Sequence, residues 1–225
     1  MKNNNLEISN LDVAIDSLLK FTSEKKKKFN ESVDIAVLLG IDSRQSSQMV
    51  KGSVMLPNGS GKSYKILVLT SDADSQKKAI EFGATYAGGD DMIEKIISGF
   101  DSFDICITTP EYMPKVSKAA RKLGPRGLMP NAKNGTVTDN LEKAITDSLK
   151  GKINFKNDKS GIIHCLVGKV DFSRESLVEN INTILKSILD LKPETSKGRF
   201  IKKLFINSTM GRSFEVDVNS LNLTR

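Results

Sequence analysis

Arg199-Phe200-Ile201-Lys202-Lys203-Leu204-Phe205-Ile206 leads into Asn207-Ser208-Thr209-Met210-Gly211-Arg212 and then Phe214-Glu215-Val216-Asp217-Val218. The first run is rich in β-branched and aromatic residues and reads as a basic strand. The second is a small polar turn, in which Gly211 lets the backbone turn or another backbone come close. The third reads as a short strand. A strand this near the end of a chain needs partners made earlier. The apolar runs at 32–40 and 161–168, both flanked by basic residues, are the donors the sequence offers. The end of the chain is therefore expected to return to its beginning, with the residues between them inserted. Residues 208–211 admit two readings. They are an ordinary loop, or a rim of hydroxyls, one methionine and backbone amides that contacts nucleic acid beside a basic strand.

Charge is distributed in a way that agrees with an insert. The 225 residues carry a net charge of +7, which favours a polyanionic partner. Residues 1–66 hold ten Lys and Arg against seven Asp and Glu, and residues 159–225 hold eleven against seven. Residues 67–158 hold thirteen of each. The excess lies wholly on the two ends, so the domain they form is the basic one. No apolar run approaches the roughly 20 residues needed to span a bilayer. Met1 to Asn5 has no apolar core behind it, so no secretory signal is expected. Two cysteines, Cys106 and Cys165, suit a reducing compartment and are too few for a disulfide framework or a zinc cluster.

Near the start, Leu11, Ile15, Leu18 and Leu19 share one helical face, with Asn10 as N-cap. Lys25-Lys26-Lys27-Lys28-Phe29 follows. It is a solvated face or, because an aromatic ends it, a nucleic-acid footprint. Residues 33–39 form an apolar strand closed by Gly40. Gly59-Ser60-Gly61-Lys62-Ser63 invites a phosphate-loop reading and fails it, because Leu56 stands where that motif needs its first glycine. The loop also runs into a strand, whereas a phosphate loop opens a helix. Residues 57–62 are expected to be the turn of a hairpin between strands 52–56 and 63–70.

The insert alternates strands and helices: strand 66–70, helix 75–82, strand 85–87, helix 91–97, strand 105–109, helix 114–123, helix 140–149. That order implies a small parallel sheet covered on both faces. Such a domain can host a nucleotide, but Thr70-Ser71-Asp72-Ala73-Asp74 has none of the glycine fingerprint and is acidic where a phosphate would lie. Asp72, Asp74, Asp90 and Asp91 read as caps and turn residues rather than a magnesium site.

Between two of these helices lies Arg121-Lys122-Leu123-Gly124-Pro125-Arg126-Gly127-Leu128-Met129-Pro130-Asn131-Ala132-Lys133-Asn134-Gly135-Thr136-Val137-Thr138, a rigid span with four cations and no acid of its own. Gly-Pro-Arg-Gly-Leu-Met-Pro-Asn followed by Gly-Thr-Val-Thr closely resembles the signature of the large-subunit ribosomal protein L-one family. Gly40-Ile41-Asp42, Val50-Lys51-Gly52 and residues 56–62 are similar to its first-domain motifs, as are Gly161-Ile162-Ile163-His164 and Val167-Gly168-Lys169. Lys197-Gly198 with Ser208-Thr209-Met210-Gly211 resembles its C-terminal motif.

The resemblance spans nearly the whole chain and carries several implications. The fold would be α/β, with a discontinuous split α+β domain (1–66 plus 159–225) holding both termini and the main RNA site. A Rossmann-like three-layer domain (67–158) would be inserted in it. The partners would be the stalk region of large-subunit rRNA, exit-site tRNA and the protein's own operon mRNA. The protein would be a cytoplasmic, monomeric component of the ribosome, with no cofactor and no membrane contact. By position, RNA contacts would fall on Lys28, Phe29, Ser32, His164, Thr209, Met210 and Gly211, with Lys197 and Ser208 from the same C-terminal motif. Arg121, Lys122, Arg126 and Lys133 would touch tRNA. The sequence departs from the family in a short N-terminus, in Ala132 for a proline, which should loosen its loop, and in Arg212 for another proline. Arg212 would then add a phosphate contact at the cost of the turn's rigidity.

The competing reading is a nucleotide-handling enzyme. His164 and Cys165 are neighbours on a strand and point to opposite faces, so they cannot act as base and nucleophile. Cys165 is the better buried of the two, which turns His164 outward. A structural histidine fits the pattern equally, and the resemblance assigns it to RNA.

Overall fold

The computed structural model describes residues 8–194, 196 and 198–221. The chain folds as two units, 1–61 with 151–225, and 62–150.

The first unit is organised on a four-stranded antiparallel sheet in the order β7-β1-β8-β9, from β1 (Ser32–Leu39), β7 (Ile162–Lys169), β8 (Ile201–Ser208) and β9 (Phe214–Val216). The C-terminal strand β8 pairs along β1, with Ile35 opposite Ile206, while β7 takes the other edge of β1. Strand β1 alternates half-buried and buried residues along its length. One face of the sheet is thus committed to the core and the other is open. Val33, Ile35, Val37, Ile163, Cys165, Val167, Leu204 and Ile206 make the buried face. They join one cluster with Leu11, Ile15 and Leu18 of α1 (Leu11–Glu24) and with Leu177, Ile181, Ile184 and Ile188 of α7 (Arg174–Asp190). Helix α7, the longest of the described residues, lies in a stretch that the strand-centred reading leaves unassigned. It starts where the Ser173 hydroxyl accepts the Ser176 N–H. Arg174 ties it to α1 through Asp12 at 3.0 Å and Asp16 at 3.3 Å.

The hairpin expected around residues 57–62 does not form. Strand β2 (Lys51–Met55) pairs antiparallel with β6 (Lys152–Lys156), from Lys51 opposite Lys156 to Met55 opposite Lys152. Both strands are amphipathic, and each needs a partner with one wet face. The following strand, β3 (Ile66–Leu69), is buried on both faces and belongs to a different sheet. Gly59 and Gly61, at φ 69° and 65°, turn the chain between the two. Asn180, fully buried on α7, clamps that turn. It accepts the Asn58 N–H at 3.2 Å and donates to Gly59 O at 3.1 Å and Val167 O at 2.8 Å.

The second unit is a three-stranded parallel sheet, β4-β3-β5, with β4 at Tyr86–Gly88 and β5 at Ile105–Thr108. Leu67 and Leu69 of β3 face a cluster holding Met92, Ile93 and Ile96 of α3 (Asp90–Ser98) and Val116, Ala119 and Leu123. Ile66 and Val68 face Ala79 of α2 (Ala73–Glu81) and Leu141, Ala144 and Ile145 of α6 (Leu141–Leu149). Three layers follow directly from that alternation. The helix expected over 114–123 is broken into α4 (Met113–Val116), a 3-10 turn and α5 (Ala120–Leu123). The Ser117 hydroxyl at the break donates to Met113 O at 3.1 Å, bonding back on the helix's own carbonyl. Asp72 caps α2, accepting the Ser75 N–H at 3.0 Å, and Asp91 accepts the Gly89 N–H at 3.1 Å. Asp90 instead bonds the Tyr112 hydroxyl at 2.7 Å and Lys115 at 2.9 Å. No helix among the described residues is long and apolar enough to cross a membrane.

Candidate nucleic-acid interface

The beginning of β1 and the end of β8 lie side by side because the two strands are antiparallel neighbours, with Val33 opposite Ser208. Beyond that pair the turn is locked to β1. Thr209 donates its N–H to Ser32 O at 3.1 Å, and its hydroxyl accepts the Ser32 N–H at 3.0 Å. Met210 donates its N–H to the Glu31 carboxylate at 2.9 Å. Glu31 is 5% exposed, so a buried carboxylate holds the turn from below. Sequence reasoning missed Glu31, and nothing local in the sequence marks an acid whose partner lies 179 positions away. It missed Lys169 as well, whose ammonium bonds the Ser32 hydroxyl at 2.9 Å.

These bonds leave the tips free. Met210 is 61% exposed and Phe29 52% exposed. Lys28 and Thr209 are also exposed. Lys26, Lys27, Lys28, Phe29 and Asn30 border an open cavity of about 590 Å³, whose floor includes Leu19, Glu31 and Val170. Gly211 closes the turn by donating its N–H to Ser208 O at 3.1 Å. Ser208 itself is buried, its hydroxyl without a protein partner, so it supports the turn rather than presenting a group to solvent. Arg212 is exposed, its guanidinium 4.8 Å from the Phe214 ring centroid and 5.7 Å from that of Phe21. The two rings hold the arginine side chain in place. Lys197 lies outside the described residues.

His164 is exposed on the open face of the sheet, and Cys165 is buried on the other. Burial pushes the Cys165 and Cys106 thiols up to about 12, so neither is a thiolate at neutral pH. Asp34, also on β1, has its carboxyl raised chiefly by burial, with Lys169 and His164 opposing. Among the described residues no group of three or more His, Cys, Asp or Glu side chains converges to hold a metal.

In the second unit, exposed Arg121 and Lys122 end α5, and Lys133 lies in the one-turn helix Ala132–Asn134. The loop's charge is not left uncompensated as its own sequence suggested, because Arg126 pairs with Asp101 from the preceding crossover. The loosening expected of Ala132 is offset by bonds. Gly135 donates to Ala132 O at 2.9 Å, the Thr136 hydroxyl accepts the Asn131 N–H at 2.7 Å, and Thr108 donates to Thr136 O at 3.0 Å.

Comparison with known proteins agrees with this architecture. Residues 18–212 match the model of the ribosomal protein L1p/L10e family. The large ribosomal subunit protein uL1 of Persephonella marina is 43% identical over 216 residues, covering 96% of this chain and 89% of the relative. The uL1 proteins of Nocardioides and of Clavibacter michiganensis are 46% and 45% identical, over 88% and 86% of this chain and 82% and 85% of their own lengths. The chain belongs to the ribosomal protein L1p/L10e family, and it is a structural protein rather than an enzyme.

Proposed function

We propose that the protein is a constituent of the large ribosomal subunit in the cytoplasm, where one copy binds the stalk region of the rRNA through its first unit. The observation that carries this reading is the joint between β1 and the turn after β8. Bonds from Thr209 to Ser32 and from Met210 to Glu31 hold exposed Thr209 and Met210 against the start of β1, which follows exposed Lys28 and Phe29 in the chain. An exposed aromatic and a fixed, exposed turn beside lysines suit RNA sugar, phosphate and unpaired bases. The uL1 relatives, named as large-subunit proteins, support the same assignment.

The second unit, with Arg121, Lys122, Arg126 and Lys133 around one loop, assists release of deacylated tRNA from the exit site. A stalk-like structure in the protein's own operon mRNA competes for the first unit and represses translation.

Filter binding of stalk rRNA across a salt series tests the reading. Each cation that neutralises a phosphate contributes roughly one unit of slope. Lys28→Ala should lower both affinity and slope, while Met210→Ala should lower affinity alone. Equal binding of stalk rRNA and an unrelated duplex at every salt would overturn it.

A further inference from the structure

The open face of the four-stranded sheet carries a cross-strand row beyond the rim just described. Phe205 of β8 stands opposite Ala36 of β1, and Ala36 stands opposite His164 of β7. The neighbours of each along its own strand are core residues: Leu204 and Ile206, Ile35 and Val37, Ile163 and Cys165. The two-residue period therefore puts Phe205, Ala36 and His164 together on the face that the helices leave open. Two aromatic side chains flank a single methyl group, two strand spacings or about 10 Å apart. The space above Ala36 is about 5 Å from either strand, within the roughly 4.5–7 Å over which aromatic rings pair.

The surroundings say what suits this slot. Lys203, two residues from Phe205 on β8, holds its ammonium 5.8 Å from the Phe205 ring centroid and 3.0 Å from the Glu215 carboxylate. Lys202 beside it is exposed. The first unit as a whole carries 21 Lys and Arg against 15 Asp and Glu. Rings on an open sheet within a cationic unit complement a nucleotide, whose base has a flat π-face and whose phosphate is an anion. A paired duplex hides that face, so the slot fits only an unpaired base.

We propose that Phe205, Ala36 and His164 form a slot for one unpaired nucleobase of the bound RNA. The base stacks against the two rings above the Ala36 methyl, and Lys203 exchanges Glu215 for that nucleotide's phosphate. The proposal rests on the RNA-binding reading above and adds to it Phe205, the floor at Ala36 and the kind of RNA feature recognised.

The chain has no tryptophan, so Phe205→Trp installs a single reporter in the full-length protein. Stalk rRNA with its loops intact should quench that fluorescence, and a fully paired RNA of equal length should not. Phe205→Trp and Phe205→Tyr should bind stalk rRNA within about twofold of the parent. Phe205→Leu, which keeps the apolar bulk and loses the ring, should bind about tenfold more weakly at an unchanged salt slope. Ala36→Leu, which fills the slot and leaves both rings, should do the same. Parent-like affinity in Phe205→Leu and Ala36→Leu, with a tryptophan reporter indifferent to RNA, would overturn the slot and leave the RNA-binding reading standing. Failure of the parent itself to bind stalk rRNA would overturn that reading instead.

Discussion

The turn at the proposed rim depends on a contact between two small residues. A Cβ built on Gly211 would overlap the Ser208 hydroxyl oxygen while remaining 3.4 Å from the Ser208 Cβ. Ser208 is 1% exposed, so its side chain is enclosed by its neighbours. Gly211→Ala should therefore destabilise the first unit by about 1–3 kcal/mol, as overpacking does, and weaken RNA binding. The obstructing oxygen has no protein partner, so Ser208→Ala alone should be neutral within about 0.5 kcal/mol. The double variant should recover most of the loss, leaving a coupling energy of about 1 kcal/mol or more in a double-mutant cycle by denaturant unfolding. Additive costs would mean that the two side chains do not meet. Asp34 gives a second residue-scale expectation. Burial raises its carboxyl, and Lys169 and His164 pull it back down. A raised carboxyl holds its proton more tightly in the folded chain than in the unfolded one. Its penalty on folding is therefore full above the raised value and disappears as the pH falls from there to the ordinary aspartate value. Asp34→Asn should melt above the parent at neutral pH, with the difference narrowing in that acid range. A lower melting temperature at neutral pH would mean that the favourable neighbours outweigh burial.

Among the elements, helix α7 has a duty beyond covering the sheet, and Asn180 carries it. One fully buried amide satisfies Asn58 N–H, Gly59 O and Val167 O at once, fixing the turn that leaves the first unit to the strand it runs past. Asn180→Leu keeps the volume and strands those partners, so it should cost about 2–4 kcal/mol in urea unfolding. Asn58→Ala removes only exposed side-chain bonds, to Glu179 and to Ser176 O, and should cost less than about 1 kcal/mol. Equal costs would refute the clamp. The elements also mark how far the sequence could be read. The basic C-terminal strand beside β1 and the alternation of the insert were legible, because hydrophobic period and element order are local signals. Helix α7 was legible too, with Leu177, Ile181, Ile184, Leu185 and Ile188 at helical spacing behind a Ser173 cap, though a reading centred on strands passes it over. Ile153 and Phe155 mark β6 as a strand, but no local rule names β2 as its partner. The expected hairpin put proximity in sequence in the place of that long-range choice. At the proposed rim, Phe29, Thr209 and Met210 could be named as candidates by position, from the family resemblance. Glu31 could not, because its role exists only once β1 and β8 are paired.

On the scale of the whole molecule, the chain leaves and re-enters the first unit at neighbouring points. Leu56 donates its N–H to Gly151 O at 3.4 Å, and a Cβ on Gly151 would lie 2.7 Å from Gly59 Cα. Gly151 has φ 104°, which a side chain would strain, so the close crossing needs glycine twice over. Charge divides at the same place. Residues 62–150 hold 13 Lys and Arg against 12 Asp and Glu, and the remaining 21 against 15 belong to the first unit. An insert between adjacent ends can be removed with little change in loop-closure entropy. We expect a protein in which a short Gly-Ser linker replaces residues 62–150 to unfold cooperatively in urea. The sheet, α1, α7 and the β2–β6 pair all remain, and the core cluster formed by the sheet and helices draws on no residue of the insert. It should bind stalk rRNA within about tenfold of the full chain, with a salt slope within about one unit, because the cations of the rim are all retained. Denaturation and binding on the same preparation distinguish the outcomes. A protein that unfolds cooperatively yet fails to bind stalk rRNA would move the RNA site onto residues 62–150, whereas one that never folds would show that the first unit depends on its insert.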